Sequence, residues 1–298
     1  MTIKTGVDGL KRFAIAAVAS FAVAAIGSLT WGPLLVANSR VLPLIPWAVP
    51  VEGIALFFVW RYLGGAGRPH RTSSTRHDLL RGRRVPARQF AWAAVAGAMS
   101  LVALAGLWIV LVRLTGVGGN PTLSFLSGGP LWVTIPAILM ASLVSPISEE
   151  AGFRGYGQVL LERRFSPLVA VAGSSFLFAL YHGPTQGFSP SKVAFYFIVG
   201  VVFGAIALIA RSTLPALPVH IAGDLLFFLV IWPHDAGRAL VWTHGADLGF
   251  WLNVAQTAVF GSLAVIGFMK LRAVSRSQVT RPSDEPSMEA AAVERCLA

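Results

Sequence analysis

Long, uninterrupted apolar runs constrain this chain more than any other feature. The runs from Phe13 to Val36 and from Phe90 to Val112 are each long enough to cross a bilayer as a helix, which takes roughly 20 apolar residues. Only 12% of the 298 residues are charged, whereas about a quarter are charged in a soluble domain. The runs are continuous rather than alternating, which favours helices over the strands of a barrel. We therefore expect an all-α, polytopic membrane protein.

The polar breaks between these runs predict about eight transmembrane helices. They cover roughly residues 13–36, 42–63, 90–113, 131–163, 167–186, 192–211, 214–232 and 249–271. With a cytoplasmic N-terminus, alternation puts 20 of the 24 Lys and Arg residues on the cytoplasmic side. The positive-inside rule then predicts that the N- and C-termini are both cytoplasmic. The same rule accounts for the net charge of +11, so that no nucleic acid partner is implied.

We divide the chain into four parts. Residues 1–130 hold three transmembrane helices and a basic cytoplasmic loop, 64–89, that could also touch anionic lipid. Residues 131–232 form a core that contains most of the ionisable residues within apolar runs, and residues 233–272 contain the last transmembrane helix. The tail, 273–298, is rich in Ser, Pro, Glu and Ala, and this composition predicts disorder.

Six ionisable residues lie inside the apolar runs, where such side chains usually face a protein interior and mark a functional site. They are Glu52, Glu149, Glu150, His182, His220 and Asp224. Glu52 lies outside the core; it could line the cavity, or it could pair with Arg61 or a backbone donor, and we favour such a structural role.

The spacing of these residues predicts that most of them converge. Glu150 and Arg154 are four residues apart and can pair on one helical face, which leaves Glu149 free. The polar turn at 162–167 joins two antiparallel helices, and Glu149 and His182 are equally far from it, so that they should face each other. His220 and Asp224 share a face of the seventh span, and this span enters the membrane from the cytoplasm. The expected site is therefore a cavity open to the cytoplasm.

Two chemistries fit this set of residues, and both lead to hydrolysis. In the first, a glutamate acts as general base on water while a histidine stabilises the oxyanion. In the second, Glu149, His182, His220 and Asp224 bind zinc and leave one position open for water. The cofactor is accordingly either zinc or none. The chain contains neither H-E-x-x-H nor G-x-S-x-G, so neither an ordinary zincin nor a serine hydrolase is indicated.

Three motifs in order resemble the signature of the CPBP family, which includes type II CAAX prenyl proteases and bacteriocin-processing enzymes and is also called the Abi family. They are Glu149-Glu150-x-x-x-Arg154, Phe178-x-x-x-His182 and His220-x-x-x-Asp224. The resemblance implies an eight-helix intramembrane endopeptidase. It also implies that Glu149 activates water with His182, that His220 and residue 224 stabilise the oxyanion, and that Glu150 and Arg154 hold the helix. Members are labelled metalloproteases, and a metal-free glutamate mechanism has also been proposed for them.

Position 224 departs from the pattern of the prenyl proteases, which carry Asn there. An Asn amide can donate a hydrogen bond to an oxyanion, whereas an ionised Asp224 cannot. Asp224 would have to be protonated, orient His220 or bind a metal. This departure weakens both the oxyanion role of Asp224 and a prenylated substrate.

The leading hypothesis is a CAAX protease-like enzyme that cuts a membrane-associated peptide or protein. Its expected location is the cell membrane, specifically the bacterial inner membrane. The alternatives are a non-catalytic membrane scaffold or bacteriocin self-immunity protein of the same fold, and a transporter with an ionisable relay. The absence of paired broken-helix repeats from the sequence counts against a transporter. The expected partners are the substrate and the lipid bilayer.

Overall fold

The computed structural model describes residues 3–119 and 129–279, and within these ranges the regular structure is helical, with no strand. The fold is all-α, as the sequence predicts. The helices are α1 (Ile3–Arg40), α2 (Ala48–Leu63), α3 (Ser73–Leu80), α4 (Ala87–Thr115), α5 (Leu131–Glu149), α6 (Gln158–Glu162), α7 (Pro167–Tyr181), α8 (Gly183–Gln186), α9 (Pro190–Ala210), α10 (Ala216–Leu226), α11 (Val241–His244) and α12 (Leu248–Val279).

Seven helical stretches in the described part of the chain are long and apolar enough to cross a membrane, which confirms a polytopic membrane protein. They are Asp8–Arg40, Ala87–Thr115, Leu131–Glu162, Pro167–Gln186, Pro190–Ala210, Ala216–Gly237 and Leu248–Ser277. Each overlaps one of the predicted spans. The second predicted span, 42–63, corresponds to α2, a shorter helix of 16 residues.

The start of α2 is later than predicted because the chain at 41–47 forms a loop. Pro43 and Pro46 lack the N–H that a helix interior requires. The Asn38 side chain holds this loop: its amide donates to the Ile45 carbonyl, and its oxygen accepts from the Ala48 N–H at the start of α2. The end of α12 is also displaced. It continues past residue 272 to Val279, so the predicted disorder at 273–279 is wrong, and residues 280–298 lie outside the described residues.

The basic loop 64–89 contains more regular structure than its composition suggests. A 3₁₀ turn, His70–Thr72, precedes α3, and Arg76 in α3 is buried. The Arg76 guanidinium donates to the carbonyls of Ala66 and Gly67 and lies 4.0 Å from the ring centroid of Tyr62. These contacts fold the loop back onto the end of α2.

A π-helical segment, Glu150–Gly157, interrupts the long helical stretch formed by α5 and α6. Every residue of the segment is buried, and it packs closely against α1. A Cβ atom added at Gly152 would lie 2.7 Å from the Ser20 carbonyl oxygen and 2.9 Å from the Ala24 nitrogen. Glycine is therefore required at this contact. Single-turn π segments within helices are frequent at functional sites.

The turn between α6 and α7 is where the sequence predicts it. α6 ends at Glu162, and α7 begins at Pro167, with the Ser166 hydroxyl accepting a hydrogen bond from the Val169 N–H. A capping serine followed by proline at the first helical position is a strong helix start. The chain thus reverses at this point, and α7 runs back along the helix that carries Glu149.

Candidate active site

The six residues predicted for the site lie together, on four elements. Glu149 ends α5, Glu150 and Arg154 belong to the π-helical segment, and His182 follows α7, while His220 and Asp224 lie on α10. The site is well shielded: Glu149 is 4% exposed, and Glu150 and Arg154 are fully buried. The convergence expected from the hairpin register is therefore present.

Glu149 faces both histidines. Its Oε2 atom lies 3.9 Å from His182 Nε2 and 3.8 Å from His220 Nε2. These separations are too long for direct hydrogen bonds. Its other oxygen, Oε1, accepts a hydrogen bond of 2.5 Å from the Ser145 hydroxyl, one turn earlier on α5. One carboxylate oxygen is thus anchored, while the other is buried without a hydrogen-bond partner between two imidazole rings.

Glu150 joins Arg154 to His220. Glu150 Oε1 lies 3.2 Å from Arg154 Nη1 and 2.9 Å from His220 Nδ1. The guanidinium carbon of Arg154 lies 4.1 Å from the Phe178 ring centroid and 5.2 Å from the Phe203 ring centroid. The predicted pair of Glu150 and Arg154 is therefore present within an aromatic enclosure, and it fixes one ring nitrogen of His220.

Aromatic side chains orient both histidine rings. The His182 ring stacks on the Tyr196 ring, with centroids 4.1 Å apart and planes inclined by 17°. The His220 ring stacks on Phe203 at 4.4 Å and 25°. His182 Nδ1 lies 2.9 Å from the Phe178 carbonyl oxygen, so that Nε2 points towards Glu149. Each ring is held by one stacking partner and by one contact at Nδ1.

Asp224 lies at the edge of the cluster. Its Oδ1 atom is 3.7 Å from His220 Nε2, which is beyond hydrogen-bond distance, and its Oδ2 atom is buried without a hydrogen-bond partner. The Tyr196 hydroxyl is also buried without a partner. The sequence reasoning did not include Ser145, Tyr196 or Phe203. A hydroxyl inside an apolar run is the signal that could have identified Tyr196.

The second chemistry requires several of these side chains to surround one zinc ion. In the described ranges 3–119 and 129–279, no group of three or more His, Cys, Asp and Glu side chains is placed to hold a metal. The four residues considered as zinc ligands are close to one another, but they do not form such a group.

Glu52 does not belong to this cluster. It is fully buried, and its Oε1 atom accepts a hydrogen bond of 2.8 Å from the Thr30 hydroxyl on α1. Among the described residues it has no ion pair, so a pairing with Arg61 is not present. Glu52 joins α1 to α2.

The described part of the chain thus places a shielded carboxylate opposite two histidines within a bundle of apolar helices. Residues 130–226 match the Rce1-like family model, described as type II CAAX prenyl endopeptidase Rce1-like. The matched segment carries all three motifs, so this similarity confirms the resemblance drawn from them. Comparison with curated proteins and with solved structures found no match.

Proposed function

We propose that the protein is an intramembrane endopeptidase that hydrolyses a peptide bond of a membrane-associated peptide or protein from the cytoplasmic side. In this proposal residues 131–232 form the protease core. The protein lies in the cell membrane, which is the inner membrane of a bacterium. The observation that carries the proposal is the unpartnered Oε2 atom of Glu149, which lies 3.8–3.9 Å from Nε2 of both histidines. A water molecule between these three atoms could contact all of them.

The tautomer of His182 follows from its contacts. Its Nδ1 atom faces the Phe178 carbonyl oxygen, which can only accept, so Nδ1 carries the hydrogen. In the neutral ring, Nε2 is then an acceptor directed at the water site. His182 Nε2 can therefore accept a hydrogen bond from the water while Glu149 removes the water's other proton. This is the assisting role that the family resemblance implies.

His220 takes the opposite role. Glu150 is ion-paired with Arg154 and accepts, so His220 Nδ1 donates to it. As an imidazolium, His220 also donates from Nε2 and can stabilise the oxyanion of the substrate. Glu149, Glu150 and Asp224 each lie within 4 Å of this ring, and their carboxylates attract its positive charge.

The second oxyanion donor in our proposal is the Tyr196 hydroxyl. An ionised Asp224 cannot donate a hydrogen bond, whereas the hydroxyl is buried, has no protein partner and belongs to the ring stacked on His182. Asp224 is then the counter-charge of His220. This assignment accounts for the departure at position 224 without a protonated carboxyl group.

The reaction proceeds in two steps. Glu149 removes a proton from water, and the oxygen of the resulting hydroxide attacks the scissile carbonyl carbon to form a tetrahedral oxyanion held by His220 and Tyr196. The carbon–nitrogen bond then breaks, and Glu149 returns its proton to the leaving amine. The products are a carboxylic acid and an amine, and no oxidant or cofactor is required.

The test compares new protein termini in host membranes that contain wild type or Glu149→Gln at matched abundance. We expect termini that are found only with wild type, because glutamine cannot remove a proton from water. Glu52→Gln is the matched control, since it changes another buried membrane glutamate that lies outside the site. Identical termini with wild type and Glu149→Gln would favour the scaffold or self-immunity alternative, whose phenotype should survive replacement of both Glu149 and His182.

A further inference from the structure

A large groove is lined by none of the six candidate site residues, and neither the motifs nor the proposed reaction uses it. Its volume is about 1430 Å³. Small-molecule sites are usually about 300–1000 Å³, so this groove suits a larger ligand. Its walls come from the start of α4, the start of α7, the end of α9 and the end of α12. By the charge distribution, all four ends are cytoplasmic.

The mouth of the groove is strongly cationic. Five arginines line it, and none of the described residues that line it is acidic. These arginines are Arg83, Arg84, Arg211, Arg272 and Arg276. Arg84, Arg211 and Arg272 are exposed, and no carboxylate of the described residues lies within ion-pair distance of them. The mouth therefore offers several positive charges to one anionic group.

Hydrogen bonds from side chains hold this mouth together. The Arg83 side chain donates from Nε to the Arg211 carbonyl at 2.7 Å, and the Ser212 hydroxyl donates to the Arg83 carbonyl at 2.6 Å. On the opposite wall, the Gln89 amide donates to the Ser275 hydroxyl at 2.8 Å, which joins α4 to α12. These hydrogen bonds fix the relative positions of the segments that carry the arginines.

Below the mouth the groove is apolar. Val171 and Ala172 of α7 and Val201 and Ala205 of α9 line this part. From Arg211 back to Val201 a helix rises about 15 Å at 1.5 Å per residue. That length is half the hydrocarbon thickness of a bilayer, which is about 30 Å. The groove therefore spans one leaflet, with the charges at its cytoplasmic surface.

We infer that this groove is a binding site for an anionic phospholipid of the cytoplasmic leaflet. The phosphate lies among the arginines at the mouth, and the acyl chains lie along the apolar walls of α7 and α9. A soluble phosphate would leave the apolar part empty, and a zwitterionic lipid would place a second cation among the arginines. Basic pockets between transmembrane helices on the cytoplasmic side suit anionic head groups.

The inference is tested by native mass spectrometry of the purified full chain in detergent. Phosphatidylglycerol and phosphatidylcholine with the same acyl chains are titrated separately, and the apparent Kd of the first bound lipid is measured. We expect wild type to bind phosphatidylglycerol more tightly. The variant Arg84→Gln/Arg211→Gln/Arg272→Gln should weaken that binding by about fivefold for each charge removed, the equivalent of about 1 kcal/mol per arginine.

Two further variants make the result specific. Lys11→Gln/Arg12→Gln/Arg40→Gln removes the same charge from exposed residues that lie outside both the groove and the basic loop, and it should leave the preference unchanged. Ala205→Trp fills the apolar part without changing the charge and should also weaken phosphatidylglycerol binding. Equal Kd values for the two lipids in wild type, or an unchanged preference in the first triple variant, would overturn the inference. Unchanged binding by Ala205→Trp would do so too, since the acyl chains would then lie elsewhere. The readout does not depend on peptidase activity.

Discussion

The buried guanidinium of Arg154 allows the sharpest prediction about stability. It is enclosed by the rings of Phe178 and Phe203 and paired with Glu150 at 3.2 Å. Arg154→Met keeps most of the side-chain volume and removes the charge. The Glu150 carboxylate is then left without its guanidinium partner in a site with no exposure to solvent.

The size of the effect follows from that unpaired carboxylate. Removing one partner of a buried ion pair typically lowers the free energy of unfolding by about 3–5 kcal/mol. Replacing both partners removes the unpaired charge, so Glu150→Gln/Arg154→Met should recover part of the loss. Arg164→Met alters an exposed arginine, and surface changes of this kind usually stay within about 0.5 kcal/mol.

The measurement is unfolding of the purified protein in mild detergent by titration with dodecyl sulfate, followed through the helical circular dichroism signal. We expect Arg154→Met to unfold earliest, the double variant later, and Arg164→Met together with wild type. The reasoning would be refuted if Arg154→Met lost less than about 1 kcal/mol, or if the double variant were no more stable than the single one.

Three further outcomes are expected elsewhere in the molecule. Tyr196→Phe should lower kcat by about a hundredfold or more, which is the usual effect of losing one oxyanion donor. It should leave stability unchanged because the Tyr196 hydroxyl has no protein partner. An unchanged kcat would remove this hydroxyl from the mechanism. Gly152→Ala should destabilise the protein in the same detergent assay, because its Cβ would lie 2.7 Å from a backbone oxygen of α1, whereas Gly32→Ala has open space; equal effects would contradict the close approach. The hydrogen bond from Arg113 lowers the pKa of Asp247, so this contact stabilises the protein above the ordinary carboxyl pKa of about 4 and is lost as the pH falls through the lowered value. Thermal unfolding of Asp247→Asn should therefore be less sensitive to acidification than that of wild type, and equal sensitivity would rule this contact out as a source of acid lability.

Much of the site could be predicted from sequence because the rise of a helix is fixed. Glu149 and His182 are equally far from a turn marked by Ser166 and Pro167, and two antiparallel helices place such residues at one level. The spacing of four residues likewise paired Glu150 with Arg154.

The features that were missed depend on packing between distant segments. The π-helical segment packs against the backbone of α1 at Gly152, and no local propensity encodes that contact. The stacking of Tyr196 on His182 requires the rotation of α9 about its own axis, which periodicity alone does not fix. The delayed start of α2 could have been predicted from Pro43 and Pro46.

The central claim is that Glu149 activates the water that cleaves a peptide bond. The most direct test reconstitutes purified wild type and Glu149→Gln in vesicles with a substrate identified by the membrane termini, alongside a farnesylated CAAX-type peptide, and measures product termini by mass spectrometry with and without chelator. The account predicts that wild type cleaves at least the identified substrate at the same rate with and without chelator, while Glu149→Gln produces no cleavage above background. Cleavage by Glu149→Gln at the wild-type rate would contradict the account, and loss of wild-type cleavage on chelation would assign the activation of water to a metal instead.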